Sequence, residues 1–90
     1  MIAIIIFNIT VMDGNRLRID RVTIDGIQTV TEYNPETDET DLSMMYKYIG
    51  CNVTIIYDNG INGGTVDRGI IDDVKHFGGR YYVYFDLEEK

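Results

Sequence analysis

Residues 50–86 read GCNVTIIYDNGINGGTVDRGIIDDVKHFGGRYYVYFD, and the fold class turns on them. From Asn52 to Asp58 the side chains alternate. Val53, Ile55 and Tyr57 share one face and Thr54, Ile56 and Asp58 the other, which is the period of a strand rich in β-branched residues. Asp58-Asn59-Gly60 and Asn62-Gly63-Gly64 follow, and Asn-Gly supplies the positive φ angles that tight hairpins need. The chain returns through Thr65–Val74, with Val66, Ile70 and Val74 on one face. Gly69 in mid-run predicts a bulge or sharp bend, because glycine weakens a straight strand. His76-Phe77-Gly78-Gly79 makes a second turn into Arg80–Asp86, where Tyr81, Val83 and Phe85 oppose Tyr82, Tyr84 and Asp86. The stretch is thus a three-stranded meander over 51–86.

Toward the N-terminus, Ile2–Met12 is the most apolar segment. Ala3, Ile5, Phe7, Ile9 and Val11 alternate with Ile2, Ile4, Ile6, Asn8 and Thr10, so both faces are apolar at first and one by the end, as in a central strand. Asp13-Gly14-Asn15 is a turn. Leu17 and Ile19 then run in one phase and Val22 and Ile24 in the other, which places a bulge near Asp20 and Arg21. Asp25-Gly26 is a hairpin signal before a third strand, Ile27–Tyr33, making residues 1–33 a second meander. Asn34–Asp41 (NPETDETD) holds the sole proline and four carboxylates, Glu36, Asp38, Glu39 and Asp41, and reads as a solvated loop. Thr40 or Asp41 can cap a short helix over 42–49, ended by Gly50, with Met44, Met45, Tyr48 and Ile49 as its apolar face.

These elements predict one mostly-β (α+β) domain over 1–90, a small antiparallel sheet or barrel of about six strands with an acidic loop and short helix at 34–50. One closed barrel and two packed sheets both satisfy the pattern. Gly50 before a strand, a glycine-rich hairpin, the Gly69-Ile70-Ile71 bend and the final Tyr81-Tyr82-Val83-Tyr84-Phe85 strand resemble the small SH3-like barrels, including Tudor- and KOW-type modules. The resemblance covers about 37 of the 90 residues and implies a barrel-like C-terminal half with an adaptor or structural role. Peptide-binding SH3 domains place a Trp in the groove for proline-rich ligands; this chain has none.

At 44% hydrophobic residues a chain of this length supports one core. The single cysteine, Cys51, excludes an intramolecular disulfide and fits a reducing compartment. Ile2–Phe7 lacks a basic lead-in and a small-residue cleavage site, and is too short to span a bilayer. A cytoplasmic protein is expected, in the host-cell cytoplasm if phage-encoded, with no membrane partner. The net charge of −7 repels phosphates, so direct nucleic-acid binding is not expected. The same field attracts a basic partner and speeds its encounter.

Chemistry-bearing residues are few. Ser43, His76 and Cys51 are single copies placed where serine turns the backbone and cysteine packs, so no catalytic residue and no enzyme activity is assigned. Asp58, Asn62 and Asp67 faintly echo a calcium loop but lack its third acidic position and its closing Glu. Asp72 and Asp73 point to opposite faces of a strand and do not ligate together with His76. No metal and no cofactor is expected. Arg16 and Arg18 are the candidate anion-binding pair, alongside Arg21, or else pair with acids on neighbouring strands. Tyr82 and Tyr84, among seven tyrosines, face away from the predicted core and are candidate aromatic contacts for a partner. Glu36, Asp38, Glu39, Asp41, Asp67, Asp72 and Asp73 are the candidate electrostatic contacts, imitating a phosphate track or serving only as a solvated face.

The expectation is a non-enzymatic, acidic protein-binding module. It would dock on the basic, nucleic-acid-binding surface of a larger protein or ribonucleoprotein, in the manner of small phage-encoded inhibitors of host complexes. The alternatives are a protein that binds or sequesters a small anionic ligand such as a nucleotide through Arg16 and Arg18, and an SH3-like structural or adaptor subunit. A homo-oligomer is compatible with the apolar Ile2–Ile6 stretch.

Overall fold

Strand β1, Ile5–Val11, runs through the middle of the molecule, and its alternation decides what the middle contains. Ile5, Phe7 and Ile9 are buried while Ile6, Asn8 and Thr10 are half-buried on the opposite face. The computed structural model describes residues 4–12, 16–26, 28–58 and 65–89, with the backbone alone for 28–30. The turns expected at Asp13-Gly14-Asn15 and from Asn59 to Gly64, together with Ile2, Ala3 and Ile27, lie outside the described residues.

β1 pairs antiparallel with β2 (Leu17–Ile24), which pairs with β3 (Gln28–Asn34). The turn between them sits on Asp25 and Gly26, at φ +60° and +68°, the two positive values a tight hairpin needs. Asn8 faces Arg21 and Ile9 faces Ile19, so Asp20 is an extra residue on β2. This is the bulge that the parity slip predicts, and it lets Ile19 and Val22 both turn toward the core. A two-residue strand β4, Glu39–Thr40, pairs back on β3 at Tyr33 and Asn34. The acidic segment is therefore a hairpin with a strand of its own. With it the sheet has seven strands, in keeping with the expected small sheet of about six.

Ser43–Tyr48 forms a 3-10 helix. Its three-residue period stacks Leu42, Met45 and Tyr48 on one side, so Leu42 and Met45 enter the core while Met44 and Ile49 stay exposed. The expected helical face of Met44, Met45, Tyr48 and Ile49 assumed the α period and is corrected here. Leu42 takes the N-cap position with no side-chain capping bond, which corrects the cap expected at Thr40 or Asp41; Asp41 accepts the Ser43 N–H at 3.0 Å in a local turn. The Gly50 N–H donates to Ile71 and the Ile71 N–H donates to Cys51, which ties the helix exit to the following sheet.

The C-terminal meander forms as its alternation requires: β5 (Asn52–Asp58), β6 (Val66–Phe77) and β7 (Arg80–Leu87), antiparallel in turn. β5 lies parallel to β1, Phe7 opposite Ile55, and this one parallel pairing fuses the two meanders. The result is a single sheet in the order β4-β3-β2-β1-β5-β6-β7, curled into a half-barrel around its concave face. Phe7 and Phe85 meet edge to face at 5.0 Å across that interior. On β6 the extra residue is Asp72, because Ile71 faces Phe85 and Asp73 faces Tyr84. The bulge puts Ile71 and Val74 in the core and leaves Val66 and Ile70 outside, correcting the expected common face of Val66, Ile70 and Val74.

Gly69 is not the site of the β6 bulge. It is buried where the β7 backbone comes closest, and a Cβ there would overlap the Asp86 carbonyl oxygen and crowd the Leu87 Cα. Gly69→Ala is expected to cost about 1–3 kcal/mol, the range for overpacking a rigid contact. Urea unfolding checks it, and a variant as stable as the parent would mean that β7 does not approach β6 this closely.

Candidate functional site

Two surfaces carry the residues with something to offer a ligand, and both belong to β7. The first is the outer face of the β6–β7 hairpin. Gly78 and Gly79 take φ +61° and +78°, so the loop has two residues and Phe77 pairs directly with Arg80. Alternation then sets Lys75, Phe77, Tyr82 and Tyr84 on one outward face. Phe77 stacks on Tyr82 at 4.4 Å and 17°, and the Lys75 ammonium lies 5.5 Å over the Tyr84 ring. These rings are 55%, 38% and 38% exposed for Phe77, Tyr82 and Tyr84. The inward residues Tyr81, Val83 and Phe85 pack against the core, as expected, and His76 stacks on Tyr81 at 4.1 Å.

The second surface is the split where the curled sheet fails to close. At one end a chain of polar contacts draws the edges together. The Arg18 Nε–H donates to Asp20 at 2.7 Å, and its guanidinium lies 4.1 Å over the Tyr33 ring. The Tyr33 hydroxyl donates to Asp38 at 2.7 Å, and Arg80 donates to the Asp38 carbonyl at 3.0 Å and to its carboxylate at 3.1 Å. The Thr10 hydroxyl donates to the second oxygen of Asp20. The Thr40 hydroxyl donates to the Ile19 carbonyl at 2.6 Å, so β4 is pinned beside β2. The Tyr33 hydroxyl, and after it Arg80, hold the Asp38 carboxyl below the usual carboxylate range. The hydrogen bond that Arg18 donates to Asp20 raises Arg18, and the one that Tyr33 donates to Asp38 raises Tyr33.

Beyond this latch the split widens into a groove of about 540 Å³ between β7 and the segment Arg16–Ile19. Leu17, Ile19, Val83 and Phe85 line it as apolar surface, together with Arg16, Arg18 and Arg80.

The structure thus brings the candidate pair Arg16 and Arg18 to one groove, and Tyr82 and Tyr84 to its far wall. The candidate acids are divided between elements. Glu36, Asp38, Glu39 and Asp41 lie on the β3–β4 hairpin and its exit, where Asp38 and Asp41 are already engaged, Asp41 being held low by the Ser43 N–H. Asp67, Asp72 and Asp73 lie on β6. Asp67 bears on the Tyr57 hydroxyl, and Asp73 accepts the Val74 N–H at 2.8 Å. Arg21 pairs across strands with Glu32 at 3.8 Å. Among the described residues no three of His, Cys, Asp and Glu gather as a metal site, and no helix is long and apolar enough to cross a membrane.

Phe77, Arg80 and Tyr33 escaped the sequence reading. The first two were signalled by Phe-Gly-Gly-Arg, since a two-residue Gly-Gly loop pairs its flanking residues; Tyr33 had no local signal. Comparison with known proteins returned no matching family model, no matching curated protein and no matching solved structure.

The latch is open to titration. A carboxyl whose folded pKa is depressed stabilises the fold above its ordinary value, and that contribution drains away as the pH falls through the depressed one. An NMR titration is expected to place Asp38 below 3.8, with Tyr33→Phe raising it more than Arg80→Ala does. The reverse order would make the ion pair, rather than the hydroxyl, the dominant contact.

Proposed function

We propose that the protein is a non-enzymatic binding module that docks on a larger protein through the outer face of β6–β7. The observation that carries this reading is the run of exposed rings Phe77, Tyr82 and Tyr84 on a hairpin whose backbone is fixed by the sheet. Large stiff rings lose little conformational entropy on burial and dominate the centres of protein interfaces. The net charge of −7 on the whole chain supplies long-range attraction for a basic partner.

In its full form the proposal is an inhibitor of the phage-encoded kind, acting in the host-cell cytoplasm. It would occupy the basic, nucleic-acid-binding surface of a protein or ribonucleoprotein, with the hairpin acids Glu36 and Glu39 and the β6 acids Asp67, Asp72 and Asp73 facing the partner's cations. The exposed Glu36, Glu39 and Asp72 support it, as does the acidic composition.

The test is a binding assay against a partner captured from the native host, with two manipulations. Phe77→Ala is expected to weaken binding by tenfold or more, about 1.4 kcal/mol or above, as for an aromatic anchor. Raising NaCl from about 0.05 to 0.5 M is expected to slow association severalfold, since the Debye length shrinks to a few ångströms. An affinity indifferent to both would end the proposal.

A further inference from the structure

The outer rings leave the groove inside the split without a role. Its size, about 540 Å³, falls in the range of small-molecule sites, and apolar and charged side chains both line it. Its three arginines are not equivalent. At the β4 end, Arg80 is taken up by Asp38, and Glu39 lies near it. Arg18 is taken up by Asp20. Arg16 is the groove guanidinium for which no carboxylate partner occurs among the described residues. The positive charge left to a ligand therefore sits at Arg16.

The wall formed by β7 adds donors. Phe77 and Arg80 close a two-residue hairpin and exchange both of their hydrogen bonds, and in an antiparallel pair such residues alternate with ones that face away. At the far end the Glu88 N–H donates to the Arg68 carbonyl, which keeps the same alternation across the bulge. The N–H groups of Tyr81, Val83 and Phe85 thus turn away from β6 and toward the groove. A strand edge of this kind calls for a polar partner.

We propose that this groove binds a small organic anion, a flat apolar body lying on Ile19, Val83 and Phe85 with its phosphate or carboxylate held by Arg16. The groove shares Tyr82 and Tyr84 with the docking strand, but the proposal rests on Arg16 and the β7 edge and so does not depend on the docking reading. Whole-molecule negative charge works against any anion, but it is screened over about 8 Å at physiological salt, whereas a guanidinium in direct contact is not.

The probe is 1-naphthyl phosphate, followed by its fluorescence and by amide NMR, with 1-naphthol and inorganic phosphate as separate arms. Two exposed arginines are replaced singly, each lowering the charge by one. Arg16→Ala removes the proposed anchor, and Arg21→Ala, paired with Glu32 outside the groove, is the control. Saturable binding is expected, with amide shifts at Tyr81, Val83 and Phe85. Arg16→Ala should weaken it about tenfold, the scale of one charge-assisted hydrogen bond, and Arg21→Ala should leave it unchanged. Neither arm alone should bind comparably. Absence of saturable binding below about 1 mM, equal losses in the two variants, or either arm matching the whole probe would overturn the proposal.

Discussion

The parallel pairing of β1 with β5 is the constraint on which the rest of the molecule depends. Ile5, Phe7 and Ile9 lie beside Val53, Ile55 and Tyr57, and the first five of these six are buried. Each such side chain contributes about 1.5–3 kcal/mol by leaving water, so this seam outweighs any single polar contact at the surface. It is also the only pairing that joins the N-terminal meander to the C-terminal one among the described strands. Without it there would be a four-stranded ribbon and a three-stranded one, each with an uncovered apolar face.

Joining the halves through their inner strands sends the outer strands around to face each other. That produces both surfaces of β7 at once. Its outer face is convex and presents rings; its inner face and free edge close one side of a groove. The short β4 and the carboxylates around it blunt the opposite edge, which is how natural sheets discourage edge-to-edge aggregation. The latch through Arg18, Tyr33, Asp38 and Arg80 fixes how far the split opens. Arg80 and Asp38 are exposed and Arg18 and Tyr33 half-buried, so each contact is individually weak, and the effect is on geometry more than on stability.

Much of this was legible in the residues. Alternation gave β1, β5 and β7, and for β7 the inward face as well; the slip at Asp20 gave a bulge, and Asp25-Gly26 gave a hairpin. Tyr82 and Tyr84 followed as outward rings by parity alone. What escaped was non-local or turned on a different period. Nothing near Phe7 announces Ile55 as its neighbour, because parallel pairing leaves no turn residue between partners. Arg80 and Asp38 stand 42 positions apart, and no short-range pattern links them. Leu42 was passed over because a 3.6-residue period was assumed where the chain takes three. At Asp72 the bulge has no glycine to mark it, so the outward turn of Val66 and Ile70 could not be read.

The central claim is that one cooperative sheet, welded at β1–β5, creates both faces of β7. Native-state hydrogen exchange in rising urea tests it most directly. The slowest amides are expected at Phe7–Ile9 and Ile55–Tyr57, sharing one opening free energy and one urea dependence equal to those of global unfolding. If the β1–β3 amides instead opened independently of those in β5–β7, with separate urea dependences, the two meanders would be separate units and the account would be wrong.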